Sequence, residues 1–344
     1  MSALRPAITA LASGRLPEQA ALEAAFDALM EGEADLAEIG GFLIGLAAIG
    51  ENPDVLATGA RAMRARMVRV SVPGNAIDTC GTGGDARGTW NISTAAALVA
   101  AGAGATVAKH GNKAASSKSG SAEVLEACGV NLMADISLVE RAIAEAGVGF
   151  LFAQAHHGAV RHVAPARKTL GVRTVFNLLG PLSNPAGAKR QLLGVFDARW
   201  LVPLAEALRD LGAERAFIVH GSDGLDEITT TGETQIASLE PDGTIREFTI
   251  TPDDAGLPRA SLDDLKGGEP AENAAALKAL LQGETGPYRD IVMLNASAAL
   301  MLAGLAGDWR EGVELAARAI DEGAAQDALD QLAAITNLPP EATP

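Results

Sequence analysis

Three short stretches of the chain concentrate residues able to do chemistry. The first is DTCGTGGDARGTWNIST, Asp78 to Thr94. Its Gly81, Gly83 and Gly84 let backbone N–H groups approach a ligand, because glycine accepts positive φ without penalty. Asn91, Ile92, Ser93 and Thr94 read as the start of a helix, whose free N–H groups favour a phosphate. Such a turn can equally be structural. It lacks both the Gly-Lys-Ser/Thr ending of a Walker loop and the dinucleotide fingerprint. The second stretch is KHGNKAASSKSGS, where Lys109, Lys113 and Lys118 stand among Gly111, Asn112, Ser116, Ser117, Ser119, Gly120 and Ser121. Ammonium groups, hydroxyls and backbone donors mixed this densely suit a polyvalent phosphate better than a solvated charge run, which would mix signs. No carboxylate occurs between Ala86 and Ala122. The third stretch, HGSDGLDE, ends in the adjacent acids Asp226 and Glu227. Asp-Glu pairs are common on surfaces. Beside phosphate loops, however, hard oxygens suit magnesium, which takes one or two carboxylates and completes its shell with water and phosphate.

Other residues carry weaker signals. Cys80 borders the glycine turn, but no base lies near it in sequence, so a small buried residue is the better reading than a nucleophile. His156, His157, Arg161 and His162 cluster without zinc-ligand spacing and without nearby cysteines, which points to a helix carrying histidines at a cleft edge. Leu151 to Phe196 contains no Asp or Glu, yet holds Arg161, Arg167, Lys168, Arg173, Lys189 and Arg190. That stretch is either a solvated basic face or a patch for an anion; Arg167 could present its fork to a carboxylate. Asp253-Asp254 would match the acidic pair of purine-type phosphoribosyltransferases, but the Thr-Gly phosphate loop that should follow is absent.

These stretches need elements to hold them. The first seventy or so residues read as helices: Leu22, Phe26 and Leu29 recur on one face, with Pro17 in the first turn. Asp35 with Glu38 forms a capping-box pattern ahead of Ile39, Leu43 and Leu46, and Asn52-Pro53 opens a third helix. After Pro73-Gly74, short apolar runs alternate with helix-like segments: Ala76-Ile77, Ala105–Ala108, Phe150–Ala153, Leu192–Phe196 and Ala216–Val219. Alternation of this kind predicts a mainly parallel sheet surrounded by helices. Gln235–Leu239 and Ile245–Ile250, split by Pro-Asp-Gly, read as an antiparallel pair, and Asn273–Leu332 as helical. The expected fold is α/β and mixed, with a small all-helical N-terminal domain over residues 1–72 and a larger α/β domain over 73–344.

Bulk properties exclude some classes. Across 344 residues the hydrophobic content is 48%, enough for a core, and the formal net charge is −16. That charge argues against a nucleic-acid or anionic-membrane surface, which needs a broad positive field, but not against a small anion held by a local patch. Two cysteines, Cys80 and Cys128, fit a reducing compartment. The N-terminal MSALRPAITALASGRLPEQ lacks the pattern of a signal peptide, and Ile291–Gly307 falls short of a membrane span, so a cytoplasmic protein is expected.

Taken in order, DTCGTGGD, NIST, KHGNKAASSKSGSAEVLEACGV, HVAPARKTLGVRTVFNLLGPLSNP and HGSDGLDEIT resemble the anthranilate phosphoribosyltransferase family of tryptophan synthesis. The likeness extends over residues 5–335, nearly the whole chain. It implies the fold shared with pyrimidine nucleoside phosphorylases, a homodimer formed through the helical domain (to which a helical segment near 165–186 is joined), and magnesium, two ions per site. It places 5-phosphoribosyl 1-pyrophosphate on Gly81, Gly84, Asp85, Thr89, Asn91, Ile92, Ser93, Thr94, Lys109, His110, Gly111, Asn112, Lys113, Ala114, Ala115, Ser116, Ser117 and Ser121. Ser93, Asp226 and Glu227 match its magnesium positions; Gly81, Asn112 and Arg167 match those contacting anthranilate, Arg167 facing the carboxylate. Two departures stand out: Lys113 where Arg is common, and Gly158 where many members have Pro.

The implied reaction is attack of an aromatic amine on the anomeric carbon as pyrophosphate leaves. Such an amine loses its proton readily once bonded to carbon, so no catalytic base is expected, and no base–nucleophile pair is visible. Two alternatives are a pyrimidine nucleoside phosphorylase-like enzyme, which takes inorganic phosphate, and a non-catalytic relative that binds nucleic acid.

Overall fold

The computed structural model describes residues 2–85, 87–114 and 118–339. Four helices open the chain: α1 (Arg5–Ala12), α2 (Gln19–Glu31), α3 (Leu36–Ile49) and α4 (Pro53–Arg66). Their starts follow local chemistry. Asp35 Oδ1 accepts the Glu38 N–H at 2.9 Å while Glu38 Oε2 accepts the Asp35 N–H at 3.3 Å, a reciprocal cap. Asn52 Oδ1 caps α4 through the Val55 N–H at 2.9 Å, with Pro53 in the first turn. Pro17, expected inside the first turn of α2, lies just outside it, because Glu18 is the residue at which the backbone turns helical. Phe26 meets Phe42 edge-on at 5.4 Å in the core of this bundle.

The bundle does not close alone. Its apolar cluster continues through residues 163–182 of the later chain, with Val163, Ala166, Val175, Phe176, Leu179 and Leu182, and on into one face of the sheet. Gly59 allows this approach: a Cβ there would sit 2.8 Å from Leu179 and 2.9 Å from Phe26.

The rest of the chain runs β1 (Ile77–Gly81), α5 (Ile92–Gly102), β2 (Val107–Gly111), α6 (Ser121–Ala127), α7 (Ile136–Glu145), β3 (Val148–Phe152), α8 (Ala153–His156), α9 (Ala164–Leu170) and α10 (Phe176–Leu179). It continues through β4 (Arg190–Gly194), α11 (Leu201–Asp210), β5 (Arg215–Gly221), β6 (Thr234–Leu239) and β7 (Ile245–Ile250). Helices α12 (Pro270–Leu281), α13 (Pro287–Ala303), α14 (Trp309–Asp321) and α15 (Ala324–Thr336) close it. The seven strands form one sheet in the order β3-β2-β1-β4-β5-β6-β7; the first five are parallel and the last two antiparallel. The Ala-rich α5 and the C-terminal helices cover one face, sharing an apolar cluster, while α11 and the N-terminal bundle cover the other.

In-register pairing of Gly81 with Gly194 and of Gly111 with Phe152 brings the parallel strands to a common edge. The loops after β1, β2 and β5 therefore open on one side of the molecule, where ligands of open α/β sheets are bound. Strand β2 differs from the expected Ala105–Ala108. It starts at Val107 and carries Lys109 and His110 within the sheet. These polar residues read as loop because the groups that satisfy them lie in distant segments.

Candidate active site

Glycine makes room for the acid pair. A Cβ on Gly81 would sit 2.6 Å from Asp226 Oδ2, and one on Gly194 would run into the Asp226 backbone. Gly83 and Gly84 turn the chain with φ of +64° and +79°, a region side chains rarely adopt. This aims the Gly83 N–H at Asp226 Oδ2, 2.8 Å away. Asp85 follows and accepts the Arg87 N–H at 3.2 Å. From the α9–α10 connection Arg173 reaches over, its guanidinium 3.9 Å above the Phe196 ring, and donates to the Gly84 carbonyl.

The helix α5 begins beside this turn, but its first N–H groups are not all open. Glu227 Oε1 accepts the Ser93 N–H at 3.0 Å, so a carboxylate already answers the positive end of the helix. Asn91 sits at the cap position without capping: its side chain turns instead to Ser119 and Asn273. Ile92 and Thr94 are buried.

The second loop leaves β2 over the same ground. Lys109 is 3% exposed, which places its ammonium beneath the loops rather than in solvent. Its Nζ donates to the Thr79 carbonyl and lies 3.3 Å from Ser93 Oγ. Ser93 thus joins all three stretches, touching Lys109 with its hydroxyl and Glu227 with its amide. Asn112 and Lys113 are exposed at the turn, where Asn112 Oδ1 accepts the Lys113 N–H at 2.8 Å. Glu123 gathers the Ala114 N–H at 3.1 Å and the Gly120 N–H at 3.0 Å, closing the loop onto α6. Ser121 Oγ meets the Asn112 carbonyl at 3.3 Å. Ala115, Ser116 and Ser117 lie outside the described residues.

Asp226 and Glu227 are held from below. Asp223 Oδ2 accepts from Thr229 Oγ1 and Thr231 Oγ1, both at 2.6 Å, and Oδ1 takes the Leu225 N–H at 3.1 Å. Asn295, wholly buried on α13, clamps Ile228: its Oδ1 accepts the Ile228 N–H at 3.0 Å and its Nδ2 donates to the Ile228 carbonyl at 2.8 Å. Burial, then the charge of Asp85, pushes Asp226 up to about 7; burial, then Asp226, pushes Glu227 up to about 8. Burial likewise raises Asp85 and lowers the Lys109 ammonium. Crowded carboxylates with proton affinities raised this far are what a hard divalent cation would relieve. Among the described residues no three of His, Cys, Asp or Glu form a ready cage, so the fit is to a cation that brings water and phosphate as its remaining ligands.

The other sequence candidates divide. Arg167 on α9 is half-buried, lies 5.5 Å from the Phe176 ring, and makes no ion pair among the described residues. His156 and His157 are buried rather than set along a helix at the cleft edge, because α8 lasts only to His156. His156 Nδ1 lies 2.9 Å from the Val68 carbonyl, and His157 Nε2 is 3.2 Å from His110 Nε2, tying the segment before α9 to the root of the second loop. Of the basic stretch, Lys189 pairs with Glu214 at 3.1 Å and Arg190 bonds the Ala303 carbonyl at 2.9 Å, both at the far end of β4 from the loops. Cys80 is buried, accepts from Gln191 Nε2 at 3.0 Å, and its thiol is pushed well up by burial, which rules out a ready thiolate. At Gly158 a Cβ would meet nothing within 4 Å.

Residues 73–326 match the family described as "Glycosyl transferase family, a/b domain", and residues 5–67 its helical bundle domain. Anthranilate phosphoribosyltransferase of Maricaulis maris is 63% identical over 330 residues, 96% of this chain and 97% of that protein. This chain belongs to the anthranilate phosphoribosyltransferase family. Another member, from Parvibaculum lavamentivorans, is 57% identical over 98% of both chains. Among solved members, the Thermus thermophilus enzyme superposes with a TM-score of 0.91 at 47% identity, covering 98% of this chain and 100% of that one. The Saccharomyces cerevisiae anthranilate phosphoribosyltransferase, solved in complex with phosphoribosyl pyrophosphate and magnesium, gives 0.89 at 28% identity, with 97% of each chain covered.

Proposed function

We infer that the chain transfers the phosphoribosyl group of 5-phosphoribosyl 1-pyrophosphate to the amine of anthranilate, giving N-(5-phosphoribosyl)anthranilate and pyrophosphate in tryptophan synthesis. The observation that carries this reading is the meeting of three distant stretches at Ser93, which touches both Lys109 and Glu227. The Gly81–Asp85 turn, Thr89, the Asn91–Thr94 helix start, Lys109–Ser117 and Ser121 cradle the phosphorylated sugar. Ser93, Asp226 and Glu227 would hold magnesium, two ions per site. When bound, magnesium supplies positive charge against the pyrophosphate as it leaves.

The remaining work falls to the chain itself. Buried Lys109 and the amides of the glycine turn add fixed positive charge where leaving-group charge develops, and being fixed they need no reorganisation. Gly81, Asn112 and Arg167 position anthranilate; the Arg167 guanidinium, without a carboxylate partner among the described residues, receives that of the substrate. Two substrates held in register account for much of the acceleration, and no general base is required.

The unit over residues 1–72, with the segment near 165–186, serves dimerisation, and the α/β unit over 73–344 the chemistry. A second copy of the chain fits the outer face of α3, where Leu36 is 59% and Ile44 41% exposed beside Gly41, Ala47 and Ala48. No helix among the described residues is long and apolar enough to cross a membrane, and the cytoplasm is the proposed compartment.

Anthranilate fluorescence tests the reading. It falls only when phosphoribosyl pyrophosphate and magnesium are both present, and chelator abolishes the fall. Phosphorolysis of thymidine or uridine with no such fall would favour a nucleoside phosphorylase instead.

A further inference from the structure

Residues 265–273 lie far along the chain from both phosphate loops, yet the fold sets them directly behind both. Thr89 pairs with Lys266 in an isolated antiparallel bridge. The Gly267 N–H donates to the Gly88 carbonyl at 2.9 Å, and the Trp90 N–H to the Leu265 carbonyl at 3.0 Å. The approach is so close that a Cβ on Gly267 would sit 2.7 Å from the Thr89 oxygen and 2.9 Å from the Trp90 nitrogen, both backbone atoms.

From this post a line of amides crosses to the second loop. Asn273 Oδ1 accepts the Gly268 N–H at 2.7 Å, and Asn273 Nδ2 donates to Asn91 Oδ1 at 2.8 Å. Asn91 Nδ2 then donates to the Ser119 carbonyl at 3.2 Å. The Gly268 N–H can only donate, so each amide in the line has one possible orientation. Asn273 is 2% exposed and sits in the first turns of α12, where a buried amide is costly unless every group is paired. The exposed ion pair of Lys118 with Glu269, 3.3 Å, runs the same way but adds little.

We propose that Asn273 is a positioning residue for the reaction: through Asn91 it fixes the spacing between the segment 88–91 that leads into α5 and the lysine loop, and so sets the affinity for phosphoribosyl pyrophosphate. This rests on the reading of those loops as the cradle of that substrate. Asn273 touches no substrate itself, and nothing in the line reaches Arg167, so the contact assigned to the anthranilate carboxylate is left in place and the larger effect falls on phosphoribosyl pyrophosphate.

The test is Asn273→Asp, which keeps the shape and the bond from Gly268 but sets an oxygen against Asn91 Oδ1. Both KM values, calorimetric affinity for phosphoribosyl pyrophosphate with magnesium, and thermal unfolding are compared with wild type. The expected result is a rise of about tenfold or more in KM for phosphoribosyl pyrophosphate, matched by its calorimetric affinity, with a clearly smaller rise in KM for anthranilate. Asn273→Ala, which removes both bonds of the amide and suits a helix, gives the same split, and carries the test should Asn273→Asp not fold. Unchanged KM values, or equal loss for both substrates in step with lost folded protein, would overturn the role of Asn273. A wild-type protein that fails to bind phosphoribosyl pyrophosphate would instead overturn the cradle on which that role stands.

Discussion

The raised proton affinities of Asp226 and Glu227 have two consequences that can be measured at the level of single residues. Protons and magnesium compete for these oxygens, so magnesium binding releases protons, and its apparent affinity falls as pH drops from about 8 toward 6. The stability consequence has a definite sign. Both acids bind protons more tightly folded than unfolded, so their contribution is full below about 4 and is lost as pH rises through about 7 to 8. Magnesium should therefore raise the unfolding temperature more at pH 8 than at pH 6, and Asp226→Asn with Glu227→Gln should erase that difference along with most magnesium-dependent turnover. An equal magnesium effect at both values would contradict it. Arg167→Ala tests the other substrate: losing a charge-assisted contact should cost about 1.5–3 kcal/mol in kcat/KM for anthranilate. Calorimetry should show affinity for phosphoribosyl pyrophosphate unchanged, and an equal loss for both substrates would remove Arg167 from its role.

At the scale of elements, the acid loop depends on α13. Asn295→Leu leaves the buried Ile228 N–H and carbonyl without their partner, a loss of about 1–3 kcal/mol for each group left unsatisfied. Denaturant unfolding should show reduced stability, and the variant that does fold should need more magnesium for half-maximal rate; unchanged values for both would free α13 from this duty. Asn295 also marks the limit of what the sequence discloses. Asp226 and Glu227 could be singled out because carboxylates beside Gly, Ser and Lys loops already imply a cation. Asn295 and Asn273 could not, since the partners that give them their place, the Ile228 backbone for one and the Asn91 side chain for the other, lie 67 and 182 positions away. The strands were legible from apolar alternation, but β2 was displaced because buried Lys109 and His110 look like loop until Thr79, Ser93 and His157 are known to meet them. The caps of α3 and α4 were fully legible, being interactions within four residues.

For the whole molecule, the helical bundle shares its core with the sheet and still leaves an apolar face on α3. In sedimentation velocity the wild type should run as a dimer, and Leu36→Glu with Ile44→Glu as a monomer, since two charges cannot be buried unpaired at low cost. A wild-type monomer, or a double variant that stays dimeric, would move the interface elsewhere. In the proposed reaction, two loops and one acid pair, set along a common sheet edge, grip a single sugar carrying three phosphoryl groups. The most direct measurement is a crystal structure with phosphoribosyl pyrophosphate and manganese, which scatters anomalously where magnesium would sit. Anomalous peaks are expected about 2.0–2.3 Å from oxygens of Asp226 and Glu227, with pyrophosphate between the Gly81–Asp85 turn and the Lys109 loop. Metal and sugar bound away from that edge, or at only one of the two loops, would contradict it.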